Sequence, residues 1–328
     1  MRYLPATIVF ILAALLSSAS ATAEQVLLIT YFDSNGENGV FLAASRDGRT
    51  FYKLNDGKPI FRPPRWKGQS LTRDPSVVWH DGLFHMVWTS NWNGNVLGYA
   101  NSQDMVEWSE PQMIQPFPEG QEQPNNIWAP ELFHDPVADD FKIAWASTLP
   151  SELNDDDGSA DRHGGDHRMY YLSTKDFQTF SKPELLVEDQ NYSMIDGFMV
   201  YDEPNERWVT SVKSEVSPER GGKNLRLAFS PPKISPRSFK KVSGPIVGPG
   251  SPVRSDSWAE GASLVRWHGK WLLYWDCYTK HHYGLAESDD LESWRDQTDQ
   301  LEFPVQHPRH GTVFVADTEQ LGWELPAE

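Results

Sequence analysis

Short apolar stretches, alternating or continuous, recur along this chain between clusters of Gly, Pro, Asn and Asp. Leu83-Phe84-His85-Met86-Val87-Trp88, Phe141-Lys142-Ile143-Ala144-Trp145, Trp208-Val209-Thr210-Ser211-Val212 and Trp271-Leu272-Leu273-Tyr274-Trp275 read as β-strands, and no comparable helical periodicity follows the N-terminal segment. A second motif repeats with them: a strand ending at or beside Ala before a serine, then a charged turn, then an aromatic residue. It occurs as Leu42-Ala43-Ala44-Ser45 with Phe51, Tyr99-Ala100-Asn101-Ser102 with Trp108, Tyr171-Leu172-Ser173 with Phe180, Leu227-Ala228-Phe229-Ser230 with Phe239, and Leu285-Ala286-Glu287-Ser288 with Trp294. The serines are spaced by 57, 71, 57 and 58 residues. That spacing suits one four-stranded propeller blade per repeat, the longest interval absorbing a polar insertion over 151–168.

A further strand opens each of four repeats, at Asp74-Pro75-Ser76-Val77-Val78, Glu131-Leu132-Phe133, Asp196-Gly197-Phe198-Met199-Val200 and Glu260-Gly261-Ala262-Ser263-Leu264-Val265. The N-terminal repeat lacks it, and His310-Gly311-Thr312-Val313-Phe314-Val315 has the missing character. The pattern therefore predicts an all-β, five-bladed β-propeller in which one blade is closed by the N- and C-terminal strands, hiding the sheet edges. Ahead of it, Arg2, the apolar run Ala6 to Leu16 and Ala21-Thr22-Ala23 predict an export signal over 1–23, leaving a single domain over 24–328 that is secreted or periplasmic. The apolar run is shorter than the roughly 20 residues of a spanning helix, so membrane insertion is not expected.

Composition narrows the partners. A net charge of −17 repels phosphate backbones and anionic lipids, which argues against nucleic acid and favours a neutral ligand such as a carbohydrate. The single Cys277 sits in an apolar strand and reads as a buried bystander.

In a propeller the first strand of each blade lines the axis, so Asp74, Glu131, Asp196, Glu260 and His310 are expected to converge at one mouth of the channel from one register of the repeat. Gathering four mutually repelling carboxylates costs free energy and points to a site. Trp92, Trp128 and Trp258 flank these strands and offer apolar faces to a sugar, Trp258 foremost because it stands two residues from Glu260. Lys213, with Glu215, either reaches sugar hydroxyls or pairs in solvent. Asp33 and Glu37, in a Gly- and Asn-rich loop, read as solvated turn residues.

Taken in order, Arg73-Asp74-Pro75, Trp128-Ala129-Pro130-Glu131, Ile195-Asp196-Gly197, Glu260-Gly261 and Arg309-His310-Gly311 resemble the motifs of the inverting glycoside hydrolases of family 43, five-bladed propellers that include arabinofuranosidases, xylosidases and arabinanases. The resemblance covers nearly all of 24–328. It implies that Asp74 is the general base that activates water, Glu260 the general acid, and Asp196 the residue that raises the acid's pKa and orients it. It also implies that His310 is the axial histidine, with an ion or water in the channel beside it; no cofactor is required. Glu131 stands where the family commonly has Asp. An inverting glycosidase needs one ionised and one protonated carboxyl on opposite faces of the sugar, and a third carboxylate is expected to keep Glu260 protonated. A retaining invertase-like enzyme fits less well, since Glu260 is followed by Gly261 rather than Cys. Ser45 to Phe51 is one residue short of a sialidase Asp-box. A non-catalytic carbohydrate-binding propeller has no need of all three acids. The 151–168 insertion fails the EF-hand template and reads as a rim loop, so no metal ligands are assigned.

Overall fold

A computed structural model describes residues 24–152, 166–188 and 193–326. The predicted export signal and most of the 151–168 insertion fall outside the described residues. In chain order the strands are β1 (Gln25–Tyr31), β2 (Phe41–Ser45) and β3 (Tyr52–Lys53); β4 (Arg73–His80), β5 (Leu83–Thr89), β6 (Leu97–Ser102) and β7 (Gln112–Ile114); β8 (Trp128–Asp135), β9 (Asp140–Ser147), β10 (Arg168–Thr174) and β11 (Glu184–Leu185); β12 (Met194–Asp202), β13 (Arg207–Ser214) and β14 (Asn224–Ser230); β15 (Glu260–Trp267), β16 (Lys270–Cys277), β17 (His282–Ser288) and β18 (Trp294–Asp296); and finally β19 (Val313–Asp317). Each group forms one antiparallel sheet, and β19 joins the first, in the order β19-β1-β2-β3, with Val313 opposite Ile29 and Asp317 opposite Gln25. The inner strands β4, β8, β12, β15 and β19 pack in succession around the axis, and β19 returns to β4. The fold is the five-bladed propeller with a shared terminal blade.

One blade departs from the four-stranded expectation. After β14 the chain carries Pro231, Pro232, Pro236, Pro245, Pro249 and Pro252. Without their N–H groups a regular outer strand cannot form, and only the isolated bridges Ala228↔Val242 and Leu225↔Val247 remain.

The other four blades share an outer turn. Asp47, Asp104, Asp176 and Asp290 each accept hydrogen bonds from the backbone N–H groups two and three residues on, at 2.7–3.1 Å. The hydroxyl two residues before each, Ser45, Ser102, Thr174 or Ser288, accepts from the N–H three residues after itself. This side chain to backbone bonding satisfies the turn's donors locally.

Apolar side chains fill the spaces between blades. Trp88, Trp145 and Trp275, at one equivalent step of β5, β9 and β16, are fully buried, each contributing roughly 4–6 kcal/mol of transfer free energy. Gly98 and Gly284 lie across from Trp88 and Trp275, where an added Cβ would come within 1.9 and 2.2 Å of the indole. Glycine is needed there because the ring occupies the neighbouring side chain's place. Cys277 is buried and free, as its apolar setting predicts. No helix among the described residues is long and apolar enough to cross a membrane.

Candidate active site

Every inner strand opens with a β-bulge, and the bulges define the site. The pairing register shifts by one between Arg73 and Ser76, Trp128 and Glu131, Ile195 and Phe198, and Glu260 and Ser263. The bridge Phe32↔Arg309 and the pair Ile29↔Val313 show the same shift in the fifth blade. Equivalent positions then fall in three layers. The mouth holds Arg73, Trp128, Ile195, Glu260 and Arg309; the axial layer holds Asp74, Ala129, Asp196, Gly261 and His310; the layer below holds Ser76, Glu131, Phe198, Ser263 and Thr312. Asp74, Ala129, Asp196 and Gly261 all have φ between 44° and 57°. A positive φ re-aims the side chain toward the axis, and for the three non-glycine residues it stores strain of a kind concentrated at functional sites.

The layers correct the sequence reading. The four acids do not share one register: Asp74 and Asp196 are axial, Glu260 lies one step outward at the mouth, and Glu131 one layer deeper. Glu131 does not line the cavity. It is buried, accepts from Ser76 Oγ at 2.5 Å and lies 3.8 Å from His310 Nε2. His310 lies across the axis, its Nδ1 3.4 Å from Asp74 and 3.9 Å from Asp196. It has that room because the next axial residue is Gly261, where a Cβ would sit 2.4 Å from the imidazole. The backbone N–H of Gly261 also donates to Asp196 Oδ2 at 3.0 Å. Any larger residue at 261 would displace the histidine.

Above the axis opens a cavity of about 630 Å³ reached by Asp74, Asp196, Glu260, Lys213, Arg73 and Arg309. Lys213 does not pair in solvent. It is buried, opposite Ile195 on β13, and its ammonium bridges Glu260 and Glu215 at 2.8 Å each. Arg309 donates to Glu260 at 2.9 Å and to Asp276 at 2.8 Å. Trp92, Trp128 and Trp258 also line the cavity. The Arg73 guanidinium lies 4.0 Å from the Trp92 ring centroid, and His167 stacks on Trp128 at 4.6 Å. Trp258 is flanked by Tyr278, 6.0 Å away.

Burial and charge divide the carboxyls. Burial raises Asp74, but the hydrogen bond and charge of His310, with Arg73, outweigh it and hold Asp74 at about 2. Burial raises Asp196 to about 6 despite His310 and Lys213, with Glu260 and Asp74 adding repulsion. Glu260 runs against the expectation of a neutral acid: burial raises it, yet Lys213 and Arg309 prevail and hold it below the ordinary range. His310, despite burial, is raised well above its usual value by the surrounding carboxylates. The site thus pairs an ionised Glu260 with two cations and places the more easily protonated carboxyl on Asp196.

Residues 24–321 match the family-43-related glycosyl hydrolase model, described as "Probable glycosyl hydrolase domain". The chain belongs to that family. Among solved structures, this family-43-related hydrolase is similar to a thermostable family-43 glycoside hydrolase at 16% identity and a TM-score of 0.55, covering 74% of this chain and 81% of that one. It is also similar to an α-L-arabinofuranosidase from Lactobacillus brevis at 17% identity and a TM-score of 0.51, over 69% and 72%. A third likeness is to a xylan β-1,4-xylosidase from Bacillus halodurans, at 18% identity and 0.50 over 74% of this chain and 46% of that one. At these identities the likenesses establish the fold. No match was found among curated protein sequences.

Two residues of the candidate site are absent from the sequence reading. Asp276 is the cross-strand partner of the mouth residue Glu260, as Lys213, which the sequence does single out, is of Ile195. The signal for Asp276 is the same one, a charge inside an otherwise apolar strand. Asn35, in the loop read as solvated turn, accepts from Arg73 Nη1 at 3.0 Å and Trp92 Nε1 at 2.8 Å.

Proposed function

We propose that this chain hydrolyses a glycosidic bond of a neutral plant-type or related oligosaccharide or polysaccharide by single displacement with inversion, the terminal sugar being an arabinofuranosyl or xylosyl residue. The observation that carries the reading is the convergence of Asp74, Asp196 and Glu260 on one cavity, with Asp74 beside His310 and Asp196 bonded to the Gly261 N–H. Asp74, ionised beside a cationic His310, is the base that orients and deprotonates water. Glu260 is the acid, and Asp196, tied to Gly261 N–H next to it, positions it. Protonating Glu260 requires its two cations to be drawn off. Sugar hydroxyls accepting from Lys213 and Arg309, together with expulsion of water, supply that change when substrate fills the cavity. His310 supplies the axial positive charge, so no step depends on an ion.

One observation favours a second assignment of roles: Asp196, not Glu260, is the carboxyl held at about 6. Asp196→Asn and Glu260→Gln decide between them on nitrophenyl arabinofuranoside and xyloside. If Glu260 is the acid, its variant is partly spared on these activated leaving groups, and Asp196→Asn moves the alkaline limb of the activity profile downward. Sparing of Asp196→Asn alone transfers the acid role to it. Proton NMR of the first product should show the inverted anomer; retention overturns single displacement. Neither substrate being cleaved while oligosaccharides still bind would leave a non-catalytic propeller. We also propose export, with the mature chain starting at Glu24. The Glu24 carbonyl accepts from Thr318 N–H at 2.9 Å, which ties position 24 to the closing blade. N-terminal sequencing of extracellular or periplasmic material tests this.

A further inference from the structure

The inner strands β4 and β8 open at the catalytic mouth and finish at the opposite end of the channel, where they bring together residues that the hydrolysis does not use. His80 is the last residue of β4, His134 the penultimate residue of β8, and Asp139 lies in the turn from β8 to β9. One ligand atom from each falls within 4.8 Å of the others. His134 Nε2 is 3.5 Å from Asp139 Oδ1, and the two imidazoles lie face to face with centroids 3.6 Å apart. The His80 imidazole makes no hydrogen bond among the described residues. Both rings are half-buried and Asp139 is exposed, so the nitrogens can be reached from solvent.

We propose that His80, His134 and Asp139 form a binding site for a divalent transition metal of the zinc class, joining the second and third blades. Two imidazoles and one carboxylate are the borderline donors such ions select over the all-oxygen sets of calcium or magnesium. A cavity of about 400 Å³ adjoins the three residues and leaves space for water at a remaining coordination position. Asp81 and Asp176 also line it, with Lys175 as the opposing cation, so the local field attracts a dication. A metal lies in the plane of each imidazole that binds it, and tetrahedral donors sit roughly 3.3 Å apart at bond lengths of about 2.05 Å. The stacked rings therefore turn about their Cβ–Cγ bonds, and the donors close by up to about 1.5 Å when the ion enters. That motion is confined to two side chains at strand ends.

The test is calorimetric titration of tag-free, chelator-treated full-length chain with Zn²⁺, paralleled by the visible absorption of bound Co²⁺. One equivalent should bind, with a Co²⁺ spectrum of nitrogen and oxygen ligation. Asp139→Asn should weaken binding roughly 10-fold or more, and the double variant His80→Asn/His134→Asn should abolish it. Thermal unfolding of the parent should shift upward by about 2–4 °C with saturating Zn²⁺, and that of the double variant should not move. Hydrolysis should be the same in all three proteins. Absence of stoichiometric binding by the parent, or undiminished binding by the double variant, overturns the proposal.

Discussion

The outer turns and the axial bulges occupy equivalent places in the same repeat, yet they have been filled in opposite ways. At the outer turn, four blades carry one solution, a Ser or Thr followed two residues later by Asp47, Asp104, Asp176 or Asp290, and the fifth substitutes prolines and loses the strand. At the axial step the five residues are Asp74, Ala129, Asp196, Gly261 and His310. The outer position answers a local need that is identical in each blade, namely satisfying the N–H groups of a tight turn. The axial position answers a shared need, because all five residues see one another. One histidine requires one glycine to lie against, and two carboxylates require one cation. Uniformity there would set five like groups around one axis, which repulsion or crowding forbids.

The comparison is most exposed to failure at Asp74. Asp74→Ala should lower kcat about 10³-fold even on substrates with good leaving groups, with the thermal transition close to that of the parent, since the role proposed for it is chemical. A loss below 10-fold with the fold intact would remove Asp74 as the base.

Next in size is the neighbour relation across the axis. Gly261→Ala should lower activity roughly 100-fold by pushing His310 off the axis, with Asp74 becoming easier to protonate as its cation recedes. The acid limb of the pH profile should therefore move upward, which a generally loosened site would not produce. An unshifted acid limb would show that His310 does not set the charge of Asp74.

The fold and the two axial acids were legible in the sequence because both leave periodic marks: strands every few residues, serines 57 or 58 apart in three of four intervals, and acids at strand starts. The layer assignment was not. A bulge adds one residue to a strand without changing its composition, so Glu131 and Glu260 looked equivalent to Asp74 while lying in other layers. Nor was the charge state of Glu260 legible, since Lys213 and Arg309 reach it from other blades. Asp276 shows how long that reach is. It is fully buried, its Oδ1 has no hydrogen-bond partner among the described residues, and burial with the Glu260 charge raises it to about 7.

Asp276 also gives a thermodynamic test of the inner region. Its folded pKa is raised, so between an unfolded value near 4 and about 7 the folded chain holds a proton that the unfolded chain has released. This contribution to stability therefore declines as pH rises through that window. Asp276→Asn, still able to accept from Arg309, should gain thermal stability relative to the parent on going from pH 4.5 to 7.5, by roughly 2–4 °C. A pH-independent difference would mean that Asp276 is ionised in the fold throughout.

The outer turns should show the smallest effect and the opposite sign. Backbone N–H donors hold Asp176 and Asp290 below the ordinary carboxylate range, so their contribution is full above pH 4 and lost in acid. Asp290→Ala should lower the unfolding temperature by about 2 °C at pH 7, less at pH 3, with kcat unchanged. A change in kcat would mean that the rim and the axis are mechanically linked.

The closing strand also places a condition on when the enzyme comes into being. Arg309 and His310 lie just ahead of β19, which docks on β1 about 290 residues earlier in the chain and is synthesised long after it. Until that docking occurs, the chain already holds its carboxylates, Arg73 and Lys213 but lacks Arg309 and His310, two of the four cations that set their charge. Ring closure and chemical competence are therefore one event. A chain cut before residue 309 should therefore show no hydrolysis at all, rather than a weakened one.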